Sequence, residues 1–161
     1  MAEVGNSKLF KLPGIPLKKD VFVVIARTEW NAQIVDELEK GCVEKLTELG
    51  VKKIFVIHVP GAFEIAFAIK KYWQENKDKK KQRPHAFIAL GCVLRGDTPH
   101  FEYVCRAVTE GVVQLNLQLA VPTIFGVLTV DNAEQASDRT GGKHGHKGEE
   151  AAITAWKMIH I

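Results

Sequence analysis

A histidine stands just past a proline in the stretch FIALGCVLRGDTPHFEYV, residues 87–104, and the chemistry this chain could do begins there. Imidazole is the side chain whose ordinary pKa allows proton transfer near neutral pH, so His100 is the candidate acid and base. Ahead of it run Arg95, Gly96, Asp97 and Thr98. Pro99 suits the first turn of a helix, where its missing N–H leaves nothing unpaired, and Asp97 or Thr98 can cap. A glycine-containing turn feeding a helix N-terminus gathers free amide groups and the positive end of a helix dipole, which together cradle phosphate. The pair points to proton chemistry on a phosphorylated small molecule. A capping or surface histidine is the plainer alternative.

Such a site needs elements to hold it. Residues 87–90 are a short apolar run of the kind that fills a buried parallel strand, and the strand is expected to stop at Gly91. Phe101, Val104, Cys105, Val108, Val112, Leu115 and Leu119 then recur at helical spacing, predicting a long amphipathic helix. Upstream, residues 21–26 (VFVVIA) read as a central strand ending in Arg27, Thr28, Glu29, Trp30 and Asn31. Ile34, Leu38, Cys42, Leu46 and Leu49 stripe a helix that Gly50 closes. Residues 54–59 give a second strand running into Pro60 and Gly61, followed by a helix to about Asn76. Residues 123–128 give a fourth strand, and Asp131 and Glu134 have the spacing of a capping box for a short helix to about Arg139. The loop GGKHGHKG leads into a final helix from about Glu149.

Strand and helix thus alternate four times, in runs too apolar to leave one face wet. The expectation is an α/β fold, a three-layer α-β-α sandwich around a four-stranded parallel sheet. Ligands gather outside the carboxyl ends of such strands, an edge that here collects Trp30, Ala62 to Glu64, Cys92 to His100, and the segment after Leu128.

At 161 residues the chain suits one domain with its own core, taken as residues 20–161 behind an extended arm over residues 1–19. Pro13, Gly14 and Pro16 deny that arm a helix, and Leu9, Phe10, Leu12, Ile15 and Leu17 fit it to a sheet edge or a neighbouring subunit. Cys42, Cys92 and Cys105 are odd in number, scattered and set in apolar patterns, so they read as reduced, buried and cytosolic. No apolar run is long enough to span a bilayer and no signal-peptide pattern opens the chain, which predicts a soluble cytoplasmic protein without a membrane partner. The net charge is +3, with much of the excess in residues 77–83, which include four lysines and read as a solvated loop. Aromatics do not interleave that charge, so no nucleic-acid surface is expected. His144 and His146 lack the third ligand that a metal site needs.

Four segments in order, VPGAFEIAFAIK, GCVLRGDTPHFEYV, VPTIFGVLTVDNAEQASDR and GGKHGHKGEEAA, resemble the 6,7-dimethyl-8-ribityllumazine synthase family. The resemblance implies a flavodoxin-like fold and the penultimate step of riboflavin synthesis, with no metal and no organic cofactor. That step condenses 5-amino-6-ribitylamino-2,4-pyrimidinedione with 3,4-dihydroxy-2-butanone 4-phosphate, releasing phosphate and water. By position, His100 matches the family's proton-transfer histidine and Trp30 its aromatic stacked on the pyrimidine. Ala62, Phe63 and Glu64 match the segment gripping the ribityl chain, and Cys92, Val93 and Leu94 the loop framing the pyrimidine. Gly96, Asp97 and Thr98 match the phosphate turn, with Asp97 expected to point away from the anion and cap. Arg139 matches the arginine that a neighbouring subunit brings to the phosphate, and Phe125 and Lys147 match that neighbour's contribution to the pyrimidine side. The implied assembly is a homo-oligomer, a pentamer closing into a sixty-chain icosahedral shell, with a free pentamer or decamer as alternatives and riboflavin synthase as an implied associate. Readings set against this are a non-catalytic flavin or lumazine carrier, which needs neither His100 nor Arg139, and a purely structural shell protein, which needs no polar loop set. A receiver-type signalling domain is disfavoured, because the first strand lacks an acidic cluster for magnesium.

Overall fold

The structure, a computed structural model, describes residues 7–12, 14 and 18–161. Its centre is a four-stranded parallel sheet in the order β2-β1-β3-β4, formed by β1 (Phe22–Thr28), β2 (Lys53–Val59), β3 (Ala86–Leu94) and β4 (Thr123–Val130). Helices α1 (Ala32–Glu48) and α5 (Lys147–Ile159) cover one face, and α2 (Ile65–Asn76) and α3 (His100–Gln118) the other. The topology is flavodoxin-like, as expected.

Strand geometry sends alternate side chains to opposite faces, and β1 shows why a strand that is apolar throughout becomes the sheet's centre. Val23 and Ile25 pack with Cys42 and Leu46 of α1 and Ala151, Ala152 and Ala155 of α5. Phe22, Val24 and Ala26 pack the other way, against Ile65 and Ile69 of α2 and Val108, Val112 and Leu115 of α3. Close approach of α1 and α5 rests on Gly148, where an added Cβ would lie 2.1 Å from the Leu38 carbonyl oxygen.

Several expectations need correction. The third strand does not end at Gly91 but continues to Leu94, pairing with β4 from Phe87↔Thr123 to Leu94↔Val130. Glycine is there because the Thr28 side chain occupies the space a Cβ would take, 3.0 Å away. Cys92, Val93 and Leu94 therefore belong to a strand's end. The second strand is not dry on both faces: as the sheet's edge it leaves Lys53, Phe55 and His58 exposed, because helices cover the middle of the sheet better than its margin. Neither Asp97 nor Thr98 caps α3; its N-cap is Pro99, with no side-chain cap. The cap of α4 (Ala133–Ser137) is Asn132, whose Oδ1 accepts from the Gln135 N–H at 2.9 Å, and Asp131 does other work. The GGKHGHKG segment is more than a loop, since β5 (Thr140–Gly142) and β6 (Gly145–His146) pair antiparallel within it. Cys105 is only half-buried, whereas Cys42 and Cys92 are buried, and all three are free thiols.

Of the arm, Ile15 and Leu17 lie outside the described residues, as do Pro13 and Pro16. Its described part contacts the end of α5, where Lys157 donates to the Lys8 carbonyl at 3.2 Å and the Lys18 N–H to His160 Nε2 at 3.0 Å. On the outer side of α3, Tyr103, Val113 and Leu117 are exposed, Leu117 at 75%. No described helix is long and apolar enough to cross a membrane.

Candidate active site

Parallel strands deliver their carboxyl ends to one edge of the sheet, and three of these meet there around a cavity of about 660 Å³. The first wall follows β1. Beyond Thr28 the chain is lashed to the end of β2, with the Glu29 N–H donating to the Val59 carbonyl at 2.8 Å and the Trp30 N–H to that of Pro60 at 3.2 Å. Asn31, at φ 58°, turns into α1 and donates from Nδ2 to the Cys92 carbonyl at 2.8 Å. These bonds hold the Trp30 indole over Gly61, yet leave it 73% exposed. An aromatic face so open beside a cavity is suited to stacking a flat ring.

The second wall is the 3-10 turn Ala62–Glu64 ahead of α2. Glu64 Oε2 accepts from the Gly61 N–H at 3.0 Å, which aims the carboxylate and leaves its second oxygen for a ligand hydroxyl. Phe63 is 64% exposed at the rim.

Cys92, Val93 and Leu94 form the floor at the end of β3, and Gly96 and His100 complete the third wall. Burial pushes the Cys92 thiol up to about 11, so it is neutral at ordinary pH and unfit as a nucleophile. The amides of Gly96, Asp97 and Thr98 have no acceptor among the described residues, although they run directly into the start of α3. Unsatisfied amides at a helix N-terminus make an anion site, and they lie between the floor and the exposed imidazole of His100. Gly96 lines the cavity, whereas Asp97 and Thr98, the next two residues, do not.

The remaining three expected residues lie elsewhere in the chain. Phe125 and Lys147 line a separate hollow of about 380 Å³ between β4 and α5. Arg139 is buried behind the β5–β6 hairpin, where it donates to the His144 carbonyl and pairs with Glu150 at 3.0 Å. Lys147 reaches the same Glu150 oxygen at 3.5 Å. Among the described residues no group of three or more His, Cys, Asp or Glu side chains is placed to hold a metal ion. His146 instead lays its ring against Gly41 of α1.

A family model described as 6,7-dimethyl-8-ribityllumazine synthase matches residues 20–161. A protein of that name from Porphyromonas gingivalis is 50% identical over 158 residues, covering 97% of this chain and 94% of its own. Another from Parabacteroides distasonis is 43% identical with 97% and 95% covered, and one from Christiangramia forsetii is 41% identical with 100% and 95% covered. The chain belongs to the 6,7-dimethyl-8-ribityllumazine synthase family. Its activity is the lumazine synthase reaction of riboflavin biosynthesis, on small-molecule substrates.

Thr28, Asn31, Gly61, Arg95 and Val104 line this lumazine synthase cavity without a role assigned from sequence, and two of them make polar contacts between elements. Arg95 lines it with its guanidinium 4.1 Å from the Phe101 ring centroid, its Nε 2.6 Å from Asp131 and its Nη1 2.7 Å from Glu102. That guanidinium holds the Asp131 carboxyl below the usual carboxylate range. Asn31 is the other, bridging two walls. The only sequence signal for either was its place just past a strand's end.

Proposed function

We propose that the cavity at the carboxyl ends of β1, β2 and β3 binds both substrates of the lumazine synthase reaction in register. The observation that carries this reading is that Trp30, Gly96 and His100 share one concavity, with the bare amides of Asp97 and Thr98 next to it in the chain. Trp30 stacks on the pyrimidine, Ala62, Phe63 and Glu64 hold the ribityl chain, and Cys92, Val93 and Leu94 border the ring. The amides of Gly96, Asp97 and Thr98 take the phosphate of the butanone. The substrate amine then attacks the ketone, the carbinolamine loses water, phosphate is eliminated, and the second amine closes the ring on the remaining carbonyl with loss of a second water. His100 moves protons in these steps, an effect of about a hundred- to ten-thousandfold. Holding both partners aligned contributes more, roughly 7 to 11 kcal/mol.

A single chain leaves Phe125, Arg139 and Lys147 outside this cavity, and the site is completed when a neighbouring copy brings them. The assembly is a homo-oligomer, a pentamer or the sixty-chain shell built from pentamers, working in the cytoplasm. Residues 20–161, the span of the family match, act as one domain.

Mixing impaired partners tests the shared site. Chains carrying His100→Ala and chains carrying Arg139→Ala, dissociated and reassembled together, recover phosphate release well above either alone, because some interfaces then hold both intact residues. If co-assembled particles release no more phosphate than the separate variants, the two residues serve the same cavity from one chain and the reading is wrong.

A further inference from the structure

The opposite edge of the sheet, where the strands begin, carries a second concave surface that the lumazine synthase chemistry leaves unused. Lys52, just ahead of β2, Lys53, the first residue of β2, and Lys80, Lys81 and Arg83, between α2 and β3, line a cavity of about 550 Å³. Asp20 is the one carboxylate in that lining. Among the described residues none of these cations pairs with an acidic side chain. Nor is the charge free to scatter. Lys53 Nζ sits 4.0 Å from the centroid of the buried Phe22 ring and donates to the Lys81 carbonyl, which ties the two connections across the hollow. His85 stands in the wall with Nδ1 accepting from the Phe22 N–H at 3.0 Å. Burial lowers the pKa of that imidazole, and the nearby Lys18 and Arg83 lower it further.

We propose that this hollow binds a compact oligophosphate, the di- or triphosphate group of a nucleotide or of a free inorganic anion. One phosphate could engage only part of a cation set spread over two connections, whereas a chain of phosphates reaches across it. A single nucleic-acid strand would need exposed aromatics to stack its bases, and the Phe22 ring is buried beneath Lys53.

Isothermal titration of the full chain with sodium tripolyphosphate at low ionic strength is the test. Saturable binding of one ion per chain is expected, weakening as salt rises. Orthophosphate is expected to bind roughly tenfold more weakly or worse, the loss of a charged hydrogen bond being worth about that much. The combined substitution Lys80→Ala, Lys81→Ala, Arg83→Ala is expected to weaken tripolyphosphate by about tenfold or more on the same grounds, with phosphate release from the lumazine synthase substrates unchanged. Tripolyphosphate should also shift the His85 ring resonances. ATP in the same titration distinguishes the sources: tighter binding than tripolyphosphate assigns the hollow to a nucleotide, and equal binding assigns it to the free anion. Absence of saturable binding overturns the proposal, as does orthophosphate binding equally well. An affinity untouched by the triple substitution also overturns it, since the anion would then sit in the amide cradle before α3.

Discussion

His100 lies exposed at the first turn of α3, beside amides that have no acceptor among the described residues, and the proposed role asks for no rearrangement of the core. His100→Ala is expected to lower kcat for phosphate release by about a hundred- to ten-thousandfold and to leave a measurable residue, because alignment of the substrates survives the loss. Complete inactivity in a folded, assembled variant would give the imidazole more than acid-base work. Trp30→Ala is expected to raise KM for the pyrimidine by roughly tenfold, an aromatic contact being worth about 0.5 to 1.5 kcal/mol, while Trp30→Phe stays close to the parent. Cys92 supplies a check on chemistry that should not occur. Its thiolate appears only as pH approaches about 11, so alkylation near pH 7 is expected to be slow, and rapid labelling there would show a more open floor. His100 was legible in sequence as a titratable ring at a helix start past a strand, while the role of Trp30 rested on the family resemblance. Arg95 was not, since its partners Glu102 and Asp131 come from a helix and from another strand's end, a meeting no local spacing announces.

Hydrophobic period was enough to read the elements, because β1 and β3 are apolar on both faces and α1 and α3 on one. Their ends were less legible. Gly91 looks like a terminator, yet it is the gap into which Thr28 fits, and only the fold reveals that neighbour. Gly148 shows the same logic with a testable sign. In a helix, alanine usually outranks glycine by about 1 kcal/mol, but here the new Cβ would meet the Leu38 carbonyl at 2.1 Å. The clash wins: Gly148→Ala is expected to destabilise by about 1 to 3 kcal/mol, read as a lower Tm. A rise in Tm would show that α1 and α5 can separate freely. Acid acts at the amino edge of the sheet. The folded protein holds the His85 pKa below its ordinary value, so the unfolded chain takes up the proton first. The stability tied to neutral His85 is complete above about pH 6.5 and is lost as pH falls below it. His85→Gln should flatten that part of the pH profile of urea unfolding; an unchanged profile would assign it to other groups.

For the whole molecule, the chain separates its expected site residues into two sets, Trp30 with His100 in one concavity and Phe125, Arg139 and Lys147 away from it. Sequence carried the family and hence the expectation that these sets pair between copies, whereas no periodicity or spacing within one chain could, because an interface leaves no signature in the order of residues alone. Light scattering of the purified protein is expected to give a particle of at least five chains, and a monomer would remove the partner that the proposed site requires. The apolar outer side of α3 has a bearing on handling as well as on architecture. In the single chain Leu117 and Tyr103 are open to water, and covering them in the proposed homo-oligomer is expected to make resistance to heat obey mass action. Dilution should then depress the melting midpoint, and a midpoint indifferent to a hundredfold dilution would mean that those side chains remain wet.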